Sequence, residues 1–171
     1  MRTHVILSLV TGWLLVVTTA LAEPACPASI DHEFTSLYSF TGTLKIPTKG
    51  SYPTSGTIEI GRREGALYLT FLTMRIGEKE VEEQIGADEL SYEAGRRKIK
   101  ARFEDVILPD PTVEEIGPTL KVKIETETVH DDDFTTMAGE GRVKGQKIPP
   151  LIKVGLVYQG ELQTCTDLGP R

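Results

Sequence analysis

Leu120-Lys-Val-Lys-Ile-Glu-Thr-Glu-Thr128 sets an apolar residue at every second position and a charge at most positions between. Period two is the repeat of a strand with one face dry and one face wet, and a helix cannot satisfy it. Leu120, Val122 and Ile124 are therefore expected on a buried face, with Lys121, Lys123, Glu125 and Glu127 in water. The same alternation recurs upstream in Lys98–Glu104, where Ile99, Ala101 and Phe103 form the dry side. It recurs near the start, where Tyr38, Phe40, Gly42, Leu44 and Ile46 share a face, and near the end, where Val154, Leu156, Tyr158, Gly160 and Leu162 do.

Between these stretches lie shorter candidates at Thr57–Gly61, Ala66–Ile76, Glu80–Ile85, Leu90–Glu93 and Phe134–Lys144. The run Leu67–Leu72 is apolar on both faces, which predicts the most central strand or one covered on its outer side. Gly61–Gly65 and Glu93–Arg96 offer glycines for tight reversals. Gly139-Glu-Gly141 inside a strand predicts a bulge or bend. Eight or nine short strands with turn signals between them predict an all-β, antiparallel fold. Consecutive strands tend to be neighbours, so an up-and-down barrel is the first expectation and a two-sheet sandwich the alternative.

The first residues, Met1–Ala22, have the layout of a secretory signal peptide: Arg2, an apolar stretch, then Ala20-Leu-Ala22. Residues 23–171 are then expected to form a single exported domain, secreted or periplasmic, with no membrane span after cleavage. The chain carries 19 Lys and Arg against 25 Asp and Glu, a net charge of −6. That balance argues against nucleic-acid binding, which relies on releasing counterions from phosphates. The two cysteines, Cys26 and Cys165, are expected to form a disulfide in an oxidising compartment. They lack the C-x-x-C spacing of a redox or metal pair.

Val129-His-Asp-Asp-Asp-Phe134 is the densest cluster of chemistry-bearing residues. On a strand its neighbouring side chains alternate sides, so the four cannot converge on one ion. The spacing of a calcium loop is also missing. Aspartates commonly form turns by accepting nearby backbone N–H groups, and a solvated hairpin tip is the expectation. No metal site and no cofactor is predicted. Glu104-Asp105, on opposite sides of a strand, and Glu114-Glu115, in a loop, are poorly placed as paired acids for glycoside chemistry. No nucleophile elbow or zinc-protease motif occurs, so no catalytic residue is assigned and an enzyme is the weakest reading.

Two connections, 106–118 and 145–152, are long, stiffened by proline and apolar for loops. They are separated by two strands, so in a meander they emerge at one end and the 130–133 turn at the other. Ile107, Leu108, Ile148 and Leu151 would rim a mouth there, and Tyr38, Phe40, Phe103 and Tyr158 would line a cavity behind it. The first functional expectation is thus an exported protein that binds an apolar small molecule. The alternative is a structural or interaction module docking on an envelope protein partner through the same loops.

This outline resembles the lipocalin-like (calycin) barrels, which are exported meanders with a bridge to a late strand. Those barrels usually carry Gly-x-Trp in the first strand. Here Gly42-Thr-Leu44 has leucine at that position, and Trp13 lies in the leader. The likeness is one of architecture, which does not fix function.

Overall fold

The computed structural model describes residues 33–114, 118–145 and 153–169. They form an all-β fold of ten antiparallel strands: β1 (Glu33–Ile46), β2 (Gly50–Arg63), β3 (Ala66–Ile76), β4 (Lys79–Glu80), β5 (Ile85–Gly86), β6 (Glu89–Glu93), β7 (Lys98–Pro109), β8 (Thr119–His130), β9 (Thr136–Gly145) and β10 (Val154–Gly169). The path through the sheet is β4-β3-β2-β1-β10-β9-β8-β7-β6, with β5 paired to β3. Consecutive strands pair along this path except around β5, which pairs with β3 rather than with β4 or β6, and β1 pairs with β10. Two of the ten strands, β4 and β5, are two-residue bridges, which raises the count above the eight or nine expected.

The ladder is one continuous sheet and does not close on itself, since its path ends at β4 and β6. Segment 81–88 runs across the interval. Ala87 N–H donates to Leu69 O on β3 at 2.9 Å, and Asp88 N–H donates to Arg102 O on β7 at 2.8 Å. Val81 and Ile85 are buried along the way. Further along, Lys79 Nζ donates to the carbonyls of Asp110 and Val113, each at 2.8 Å. A backbone crossover and one ammonium therefore stand where a ladder would otherwise run.

Alternation decides which side chains go inside. Ile99, Ala101 and Phe103 on β7, Val122 and Ile124 on β8, and Val154, Leu156 and Tyr158 on β10 are all buried. On β1 the buried row begins earlier than expected, with Phe34 and Ser36. The register of β7 slips between Phe103 and Val106, where Asp105 has φ +53°. This bulge turns both Glu104 and Asp105 to water, where strict alternation had predicted opposite sides.

Three other expectations are corrected. The doubly apolar β3 is not central; it lies beside the end of the path, with only β4 and β5 beyond it. The 94–97 reversal places its left-handed residue at Arg97 (φ +47°) rather than at the glycine. Gly139 and Gly141 produce no register shift on either side. Gly139 is required for a different reason: a Cβ there would lie 2.2 Å from Cζ of Tyr158, whose ring occupies that space.

Candidate functional site

At the centre of the molecule four rings meet, edge to face in three pairs and tilted in the fourth, Phe71–Phe103. Centroid distances are 5.5 Å for Phe40–Phe71, 5.4 Å for Phe71–Phe103, 6.0 Å for Phe40–Tyr158 and 6.4 Å for Phe71–Tyr158. Such pairs each contribute about 0.5–1.5 kcal/mol beyond the burial of their surface. Phe103 is 0 % exposed, so no water-sized space adjoins it. Three of the four residues expected around a cavity, Phe40, Phe103 and Tyr158, thus come together, and Phe71, which was not singled out, packs against all three. Its signal was the apolar run Leu67–Leu72, read for burial rather than for a site.

Tyr38 leaves this group and faces His130, 5.6 Å away. Its hydroxyl donates to Phe134 O at 2.8 Å. Of the expected rim, Leu108 is buried and Ile107 is 44 % exposed on the opposite face of β7. Ile148 and Leu151 lie outside the described residues, as do Cys26 and residues 1–22, where a leader was expected. Cys165 sits on β10 opposite Ser36, with Ser36 Oγ 3.2 Å from its sulfur.

The interior also holds polar groups. Tyr158 Oη lies 2.5 Å from Thr128 Oγ1. Burial pushes the Tyr158 phenol above its usual range, against the hydrogen bonds from Thr128 and Thr126. Ser36, Thr54, Thr126, Thr128 and His130 are all buried. Thr126 and Thr128 continue the β8 alternation past Ile124, so the inner face of that strand changes from apolar to hydroxylic toward the turn.

The 130–134 cluster divides into two parts. Asp131 behaves as the expected turn former: its carboxylate accepts from Thr135 N at 2.8 Å, Thr135 Oγ1 at 2.6 Å, Thr136 N at 3.1 Å and Thr136 Oγ1 at 3.0 Å. Partial burial raises its pKa, but these bonds outweigh that and hold it below the usual carboxylate value. Asp132 pairs with Arg97 in the neighbouring turn. His130 corrects the picture of a wholly solvated tip, because it is 4 % exposed. It packs on Tyr38 and, at 5.3 Å, on Phe134. Burial lowers its pKa to about 4, against the Arg97 backbone and the Asp131 charge.

The outer face is divided by charge. Over β6–β9 it is a lattice of ion pairs: Lys98–Glu127 at 2.6 Å, Lys100–Glu93, Arg102–Glu89 at 3.2 Å, Lys123–Glu104 at 3.1 Å and Lys144–Glu125 at 2.9 Å. The basic stripe 98–102 reaches Glu127 through Lys98, whereas Lys100 and Arg102 turn to β6. Glu125 is held instead by Lys123 and Lys144. Over β1, β10, β9 and the end of β8 the face loses charge. Thr41, Thr43, Val157, Gln159, Ala138 and Val129 line an open groove there, bordered by Lys98, Glu127 and Glu140. Val157 is 61 % exposed and Val129 42 %.

Among the described residues no group of His, Cys, Asp and Glu is placed to hold a metal ion. No helix among them is long and apolar enough to cross a membrane. Compared with protein-family models, curated proteins and solved structures, the chain matches none.

Proposed function

We propose that this chain is an exported interaction module that docks a protein partner on the uncharged groove of its outer face. The observation that carries this reading is the contrast between the two sides of the sheet. The inner aromatic rings are consumed by contacts with each other, while two valines stand open to water beside the ion-pair lattice, on the part of the outer face that carries few charges. Apolar side chains in an open groove whose charges, Lys98, Glu127 and Glu140, stand at its border favour a neutral, apolar partner surface, because both faces lose little hydration on meeting. The paired charges at the border, Lys98 with Glu127, would set orientation more than affinity.

Site-specific photocrosslinking tests this. A crosslinker at Val157 or Ala138 is expected to trap one partner species, and the same group at Lys121, in the ion-pair lattice, none. Equal trapping from all three positions would remove the case for this face. Val157→Glu should weaken the complex without disturbing the fold, since the side chain is already in water.

A second reading keeps an apolar small molecule bound beyond the end of β7, beside residues 110–114. It is favoured by Val113, 37 % exposed, beside an open groove lined by Tyr52, Ile76, Lys79 and Pro111. Saturable binding of an apolar fluorescent probe, lost in Val113→Glu and kept in Val157→Glu, selects this reading over the first.

A further inference from the structure

Three observations converge on the turn between β8 and β9. His130, the last residue of β8, is buried with its imidazole between the rings of Tyr38 and Phe134. Among the described residues its Nδ1 has no hydrogen-bond partner. The turn that follows is seated on the sheet by three bonds: Tyr38 Oη donates to Phe134 O, His130 N–H donates to Arg97 O at 3.1 Å, and Leu162 N–H on β10 donates to Thr135 O at 2.8 Å.

We propose that His130 is an acid-released latch: as a neutral ring it seats the 131–135 turn on Tyr38, and as a cation it lets the turn lift and bare Tyr38 and Phe134. A neutral imidazole packs against the two rings, edge to face with Tyr38 and tilted over Phe134. An imidazolium there would leave an N–H⁺ without an acceptor in a dry site, which is costly. Lifting the turn gives that charge water, so protonation and opening are linked.

The charged and titratable groups around the ring do not offset this. Tyr38 on β1 is held in its neutral phenol form by burial. Arg97, in the β6–β7 turn, directs its guanidinium to Asp132. Asp131 has its carboxylate occupied by Thr135 and Thr136. Glu161 on β10 lies on the far wall of the open groove beside the turn. Burial disfavours the cation and outweighs both the Arg97 backbone carbonyl and the Asp131 charge, which favour it, so the folded imidazole has its pKa lowered to about 4 from 6.5.

The sign follows from that depression. Above pH 6.5 the ring is neutral whether the turn is closed or open, and the latch is at full strength. Between 6.5 and 4 only the open form takes up a proton, so the closed-to-open ratio falls about tenfold per pH unit. Below pH 4 both forms are protonated and no further loss comes from this residue.

Amide exchange of the full exported chain tests the latch. Protection of the Thr135 and Thr136 amides, corrected for intrinsic rate, should fall by about two powers of ten between pH 6.5 and 4. Amides at the middle of β8, such as Ile124, should keep their protection until the whole fold opens. In His130→Phe the turn should hold its protection over that range; His130→Leu serves if the phenylalanine variant fails to fold. Asp131→Asn, whose side-chain oxygen still accepts from Thr135, should retain the pH dependence and so separate the two groups. Protection of Thr135 and Thr136 that is flat with pH, or that falls equally in both His130 variants, overturns the proposal. An imidazole midpoint near 6.5 by NMR overturns it as well.

Discussion

Tyr158 and Thr128 are joined hydroxyl to hydroxyl, at 2.5 Å, across an intervening strand. The residue between them on the same rung is Gly139, and the tyrosine ring lies over it where a Cβ would stand. The arrangement recurs on the outer face, where Tyr68 reaches across Gly61 to Thr35, 3.0 Å from hydroxyl to hydroxyl. A Cβ at Gly61 would lie 2.4 Å from Tyr68 Oη. A glycine in mid-strand is intrinsically destabilising, and in both places an aromatic ring covers the bare backbone.

Gly139→Ala should therefore destabilise the fold by about 1–3 kcal/mol through overpacking against the Tyr158 ring. Urea unfolding measures it. The same change in a Tyr158→Ala background should cost much less, because the colliding ring is gone. Additive costs would show that the two residues do not share the space described.

Tyr158→Phe keeps the ring and removes the hydroxyl, leaving Thr128 Oγ1 buried with a lost partner, at a cost of about 1–3 kcal/mol. Tyr68→Phe should cost less, since Tyr68 is only half-buried and water can replace its partner. Chemical denaturation of the two variants in parallel decides the order, and a larger loss for Tyr68→Phe would contradict the burial assigned here.

Alkaline pH should unfold the protein through its inner phenols. Burial holds both Tyr38 and Tyr158 above the usual tyrosine pKa. Their folded pKa values are raised, so the stability they contribute is complete below about pH 10, where unfolded tyrosine titrates, and is lost as pH rises beyond it. Each group should contribute a slope of about 1.4 kcal/mol per pH unit in that range. Thermal melts from pH 9 to 11 should show the decline, and Tyr158→Phe should make it shallower by one tyrosine's share.

Lys79→Met should loosen the 110–113 segment while leaving the sheet intact. The ammonium ties the carbonyls of Asp110 and Val113 to the start of β4. Amide exchange at Thr112 should quicken, with a global cost of about 1 kcal/mol for a partly solvated charged hydrogen bond. An unchanged exchange rate there would show that Asp110, whose carboxylate accepts from Thr112 N, is enough to hold the loop.

Mass spectrometry of the chain produced in an oxidising compartment should find Cys26 joined to Cys165. Closing so long a loop stabilises by about 4–5 kcal/mol in the chain-entropy model, and Cys26→Ser should lose part or all of that. Equal melting of the variant and the parent would remove the bridge from the account.

The sequence by itself determined the class of fold and which side of most strands is dry. Alternation in Leu120–Thr128 or Lys98–Phe103 is a local property: each side chain's face follows from its neighbours, whatever the sheet does elsewhere. The Asp131 turn was legible for the same reason, since its acceptors and donors lie within five residues. What lay beyond local reach was decided only by tertiary structure. The doubly apolar Leu67–Leu72 run signalled burial, but its place near the end of the sheet depends on the crossover at 81–88, which no periodicity records. Gly139-Glu-Gly141 has the local mark of a bulge, yet the glycine answers to a tyrosine nineteen residues on, in another strand. His130 looked like part of a polar tip because three aspartates follow it. Only the approach of Tyr38 from β1 and the fold-back of Phe134 make its surroundings dry, and the protonation of that ring is set by those distant contacts rather than by its neighbours in the chain.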